Sequence, residues 1–134
     1  MNKHIFVNLP VKNLEKSKEF FTKLGYTFNP QFTDDKGACM VISDTIFAML
    51  LSEPFFKTFT KKDISDATKT TEVLVALSVE SKAEVDACLE KVLAAGGKEA
   101  RDAQDHGFMY ARSFEDLDGH IWEMVWMDPN YVQK

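Results

Sequence analysis

Two stretches of the chain repeat one another, and this limits the fold more than any other feature. "VNLPV" (7–11) and "VALSV" (75–79) share the pattern V-x-L-x-V, 68 residues apart. Each is followed by a capped helical segment, a glycine and three short strand-like stretches, so the sequence reads as two βαβββ modules. The expected fold is α+β, with module one at about 1–52, a connector at 53–71 and module two at 72–128 within one domain over 1–134. A short sheet with a helix on one side leaves its other face to be covered. Two modules side by side then create a shared concavity, a usual place for a small ligand.

The local signals are consistent with this division. "HIFVNLPV" alternates Ile5, Val7, Leu9 and Val11 with His4, Phe6 and Asn8, the two-residue period of a strand. In "NLEKSKEFFTKLG" the spacing changes to that of a helix, with Leu14, Lys18, Phe21 and Leu24 on one side. Asn13 caps its start, Glu15 suits its positive end and Gly25 stops it. Strands are expected at Tyr26–Phe32, Ala38–Ser43 and Ile46–Leu51. In module two, "EVLVALSVE" alternates, Ser81 and Glu84 form a capping box, and the helix buries Val85, Cys88, Leu89 and Val92 before Gly96-Gly97. "KEARDA" is a weak strand, while "GFMYARSF" and "HIWEMVWM" form a hairpin. In the connector, Phe55, Phe56 and Phe59 share one face of a short helix beginning at Pro54. They serve either as packing against the sheet or as an aromatic lid or dimer contact.

Composition narrows the function classes. A net charge of −5, with lysines and glutamates interspersed, gives no footprint for nucleic acid or a membrane surface. No apolar stretch approaches the roughly 20 residues that span a bilayer. The first residues lack a signal peptide's apolar centre, so a cytoplasmic location is expected. Cys39 and Cys88 lack metal-ligand spacing and are expected as buried thiols.

"FEDLDGHIWEMVW" (114–126) raises the question of whether His120 and Glu123 act together. On a strand, His120, Trp122, Met124 and Trp126 share one face and Ile121, Glu123, Val125 and Met127 the other. A metal held jointly by His120 and Glu123 is therefore excluded on a regular strand. His120 is expected to cap the turn or lie exposed. Glu123, flanked by Ile121 and Val125, is either a solvated acid or a functional one.

"LPVKNLEKSKEFFTKLG", "ALSVESKAEVDACLEKVLAAGG" and "DLDGHIWEMV" together resemble the vicinal oxygen chelate superfamily over residues 4–128. That superfamily includes glyoxalase I, the fosfomycin- and bleomycin-resistance proteins and the extradiol dioxygenases. The resemblance implies paired βαβββ units, a cup-shaped mixed sheet and commonly a homodimer. In its metal-using members four strand positions supply ligands, which the resemblance carries onto Phe6, Met49, Leu74 and Glu123. His4 lies on the face of Phe6 but off the family spacing.

Phe6, Met49 and Leu74 offer no hard donor, whereas a divalent ion needs several O, N or S ligands. No cofactor is therefore expected, a divalent metal is disfavoured, and so is glyoxalase, thiol-transfer or dioxygenase chemistry routed through one. Nor is there a Ser-His-Asp grouping, a phosphate loop or a CxxC. The expected function is metal-independent binding of a small organic molecule, as in bleomycin resistance. Phe6, Met49 and Leu74 would line an apolar pocket around Glu123, with His106, Tyr110 and Arg112 as candidate neighbours. The alternative is a glyoxalase-like lyase, epimerase or dioxygenase-type enzyme in which Glu123 acts as catalytic base, with or without a metal. A third reading has the cup filled by side chains in an interaction domain.

Overall fold

The computed structural model describes residues 3–131. The chain divides into two compact units, Met1–Ser65 and Asp66–Lys134, with the boundary inside the connector. Unit one contains β1 (Ile5–Val11), α1 (Leu14–Lys23), β2 (Thr27–Phe28), β3 (Gly37–Val41), β4 (Ile46–Ser52) and a short α2 (Glu53–Phe56). Unit two contains β5 (Leu74–Ser78), α3 (Lys82–Ala94), β6 (Lys98–Asp105), β7 (Met109–Glu115) and β8 (Ile121–Met127). The sheet orders are β1-β4-β3-β2 and β5-β8-β7-β6. In each unit the first strand runs parallel to the last and every other pair is antiparallel. The sequence repeat is thus a repeat of topology: an α+β fold of two βαβββ units, each with a four-stranded mixed sheet.

In unit one, the Asn13 side chain accepts from the Lys16 N–H at 3.1 Å to start α1. Gly25, at φ +105°, ends the helix in a conformation that costs an L side chain energy. The buried side of α1 is Leu14, Ser17, Phe20 and Phe21, followed by Leu24. Lys18, expected on that side, instead pairs with Glu15 at 3.2 Å. Phe20 and Phe21 are each 1% exposed, and burying each contributes about 1.5–3 kcal/mol. β2 is shorter than expected because Pro30, which has no N–H for a ladder, opens a 3₁₀ turn over Pro30–Phe32.

The connector starts as α2, with a proline in its first turn, and α2 packs on β1 and β4. Phe55 lies over the Gly37–Leu51 pair and meets the Phe59 ring edge-on at 5.1 Å. Phe55 therefore packs against the sheet, while Phe59 stays exposed.

In unit two, the Ser81 side chain accepts from the Glu84 N–H at 3.1 Å, the forward half of the expected capping box. The return bond goes from the Glu80 N–H to the Glu84 carboxylate. Val85, Leu89 and Val92 of α3 are fully buried, and α3 packs on β7 and β8, which supply Phe114, Trp122 and Met124 to the core. Cys88 is only half-buried.

Candidate functional site

The turn before β8 determines where Glu123 points. Asp116, 7% exposed, accepts three hydrogen bonds from the segment that follows it. Its Oδ1 takes the N–H groups of Asp118 at 2.9 Å and His120 at 3.1 Å, and its Oδ2 takes the Trp122 indole N–H at 3.0 Å. Burial pushes the Asp116 carboxyl up, opposed by His120, the Trp122 indole and the Asp118 N–H. Gly119 completes the turn at φ +87°, with the Ala67–Thr68 backbone so close that a Cβ there would lie 2.8 Å from the Ala67 carbonyl oxygen. His120 is part of this turn: its carbonyl accepts from the Asp116 N–H at 3.0 Å.

With Trp122 fixed in the core, strand alternation sends Glu123 to the sheet face away from α3. Cross-strand register then sets its neighbours. Ala76 of β5 and Ser113 of β7 pair with Glu123, and Arg101 of β6 pairs with Ser113. One row across the sheet therefore reads Ala76, Glu123, Ser113, Arg101. The row beside it holds Leu74, Ile121, Glu115 and Lys98, and the row on its other side begins with Ser78, Val125 and Ala111. Glu123 is an acid set among small and apolar side chains, with its side chain 25% exposed.

Two polar groups missed in the sequence meet it. Arg101 Nη2 lies 3.5 Å from Glu123 Oε2. Ser113, 3% exposed, has its Oγ buried without a hydrogen-bond partner among the described residues. Strict alternation along β6 would place Glu99 and Arg101 on the same face. Instead the ladder carries an extra residue between them, a β-bulge, so Glu99 pairs with Phe114 and Arg101 with Ser113. Glu99 consequently faces the α3 side and Arg101 turns to Glu123. No single-residue signal in "KEARDAQD" marks that bulge.

The expected grouping of Glu123 with Tyr110 and Arg112 is corrected. Because Ser113 pairs with Glu123, Tyr110 and Arg112 fall on the opposite face, against α3. There the Tyr110 hydroxyl donates to Asp86 at 2.7 Å, and Arg112 bridges Asp86 and Glu99, each at 3.0 Å. These bonds hold the Asp86 carboxyl below the usual carboxylate range, Tyr110 contributing most. Asp86 in turn pushes the Tyr110 hydroxyl up. The group therefore ties the helix to the sheet. His106 sits exposed in the β6–β7 turn, away from the row that holds Glu123. Leu74 shares the face of Glu123 and is 64% exposed.

In unit one, Phe6 and Met49 lie on the sheet face away from α1. Phe6 is 51% exposed and stacks on Phe47 at 4.9 Å, and His4 stacks on Phe47 at 5.7 Å. Met49 pairs with Asn8 on one side and Cys39 on the other. Burial pushes the Cys39 thiol up.

These residues do not suit the divalent metal of the superfamily's metal-using members. Phe6 is engaged in an aromatic stack, Leu74 is a hydrocarbon, Met49 offers only a thioether, and Glu123 already faces a guanidinium. Among the described residues no three His, Cys, Asp or Glu side chains converge as an ion requires.

The family model described as bleomycin resistance protein-like N-terminal matches residues 3–43. No curated protein matches the sequence significantly. Among solved structures, the hypothetical protein SA1046 from S. aureus is 30% identical, with 94% of this chain and 95% of that chain covered and a TM-score of 0.79. A glyoxalase-related enzyme from Fulvimarina pelagi is 20% identical, covers 94% of this chain and 88% of its own, and has a TM-score of 0.78. The fosfomycin resistance protein FosX from Listeria monocytogenes is 18% identical over 94% of this chain and 93% of its own, with a TM-score of 0.68. The last two are similar in fold. The βαβββ repeat, the family-model match over residues 3–43 and these structures give one conclusion: this chain has the fold of the glyoxalase/bleomycin resistance/dioxygenase proteins, and its first strand, helix and following strands are similar to the bleomycin resistance protein-like N-terminal family.

Proposed function

We propose that this protein binds a small organic molecule without a divalent metal, using Glu123 as a polar anchor on the second sheet. One observation carries the reading: where the superfamily resemblance calls for metal ligands, Phe6, Met49 and Leu74 are apolar, and the remaining acid faces Arg101 at 3.5 Å. Apolar side chains around a few placed polar groups are the usual make-up of a ligand site. The proposed apolar contacts beside Glu123 are Leu74, Ile121 and Val125, on the same sheet face of unit two. Binding or sequestration is the role this composition suits. The enzyme reading has Glu123 for a base but loses Tyr110 and Arg112 as its helpers, because both are bonded on the other face.

A homodimer is part of the proposal. Exposed Ile5 on edge strand β1, and exposed Val73 at edge strand β5, are the kind of apolar edge residue that association covers. Sedimentation equilibrium checks it, and a monomeric mass independent of concentration counts against it. The free cysteines fit a cytosolic location. Among the described residues no helix is long and apolar enough to cross a membrane.

The binding test is a thermal-shift screen of small aromatic and aliphatic amines, acids and amino acids, in EDTA. At least one class is expected to stabilise the wild type, and Glu123→Gln to lose that stabilisation. Stabilisation that requires added Zn²⁺, Mn²⁺ or Fe²⁺ contradicts the reading. Intact affinity with lost turnover in Glu123→Gln points to the enzyme instead.

A further inference from the structure

We infer that the row Arg101–Ser113–Glu123 selects a ligand whose head group carries a positive and a negative charge side by side, as an α-amino acid does. The inference rests on the binding reading above and specifies its ligand class. The sequence alone left one carboxylate, which suits a cation. The structure instead gives an acid and a guanidinium facing each other. A simple cation meeting Glu123 has to compete with Arg101, and a simple anion meeting Arg101 has to compete with Glu123. A zwitterion replaces both halves of the pair at once, its ammonium on Glu123 and its carboxylate on Arg101.

The geometry leaves room for that exchange. The two side chains touch through a single contact, Nη2 to Oε2 at 3.5 Å, rather than through the two-pronged pairing a guanidinium makes at its strongest. Arg101 is 59% exposed along its side chain and is free to reorient. Ser113 lies between them in the ladder, pairing with Glu123 on one side and Arg101 on the other, and its hydroxyl has no partner among the described residues. A hydroxyl both donates and accepts, so it suits the middle of a head group with one end of each kind. Leaving such a group buried and unpaired is costly, and a ligand that reaches it removes the cost.

The neighbouring row adds no charge bias. Lys98 and Glu115 pair at 3.8 Å, so the charges of that row balance. Leu74, Ile121 and Val125 beside the row offer the ligand's remainder an apolar surface. The β6 bulge is what makes the site, because without the extra residue Arg101 would face α3.

Three probes sharing one phenyl group test the inference: L-phenylalanine, 2-phenylethylamine and 3-phenylpropanoate. Each is titrated into ¹⁵N-labelled protein in EDTA while the amides of residues 121–125 and 113 are followed. L-Phenylalanine is expected to bind at least tenfold more tightly than either singly charged probe. Arg101→Ala and Ser113→Ala should each erode that preference, and Lys98→Ala should leave it intact. If 2-phenylethylamine binds as tightly as L-phenylalanine and Glu123→Gln abolishes both, the zwitterion inference fails while the lone-carboxylate anchor stands. If no probe moves these amides, the inference and the underlying binding reading fall together.

Discussion

Removing Asp116 tests how the site is aimed. Its carboxylate accepts from the Trp122 indole N–H at 3.0 Å, and Trp122 is 1% exposed, so water does not reach in to replace it. Asp116→Ala leaves that donor orphaned, at about 1–3 kcal/mol. The N–H groups of Asp118 and His120 lose their acceptor too, but both residues are half-buried and recover part of it from water. Their loss adds about 0.5–1.5 kcal/mol each. The expected total is about 2–6 kcal/mol, a large part of the roughly 5–15 kcal/mol that stabilises a domain of this kind. Urea unfolding of wild type, Asp116→Ala, Trp122→Phe and the double variant forms a cycle that separates the pair from the rest. A coupling of about 1.5–3 kcal/mol is expected, as for a bond to a charged acceptor. Each kcal/mol is read as roughly 3–4 °C in Tm for a chain of this length. Additivity within about 0.5 kcal/mol refutes the reasoning, because Trp122 would then be held by packing alone. The outcome bears on function, since the bond that fixes Trp122 inward also fixes Glu123 outward.

Two further predictions follow from contacts away from Glu123. Gly119→Ala should destabilise by about 2 kcal/mol or more, because a side chain at φ +87° is strained and its Cβ would lie 2.8 Å from the Ala67 carbonyl oxygen. An unchanged urea midpoint rejects that packing. Tyr110 and Arg112 hold the native Asp86 carboxyl below its ordinary 3.8, so its stabilising effect is full above that pH and is lost as pH falls through the lower native value. Asp86→Asn should therefore flatten the fall in stability below about pH 4, measured by urea midpoints from pH 5 to 2.5, and an unchanged slope contradicts the assignment.

Much of the fold was legible because its signals are local. The V-x-L-x-V repeat, the Asn13 and Ser81 caps and the turn glycines each act within a few residues, and the elements they mark are present. The pattern Leu14–Lys18–Phe21–Leu24 named three buried positions and one wrong one, because Lys18 lies at the edge of the stripe, where it reaches Glu15. Pro30 lies inside the stretch expected as a strand, and its missing N–H ends that strand early. The site was harder to read, because which residues share a sheet face depends on register. Tyr110 and Arg112 share a face with each other, as alternation says, but the pairing of Ser113 with Glu123 puts that face against α3. Arg101 was hidden by a bulge, and Asp116 by a partner six residues away whose indole nitrogen no spacing rule announces.

The claim on which the functional account rests is that this chain, which resembles a superfamily with metal-using members, works without the metal. Elemental analysis of protein purified without chelators, repeated on Glu123→Gln, addresses it directly. The account predicts well below one transition-metal ion per chain in both proteins. One Zn, Ni, Mn or Fe per chain in the wild type, released by the substitution, would contradict it.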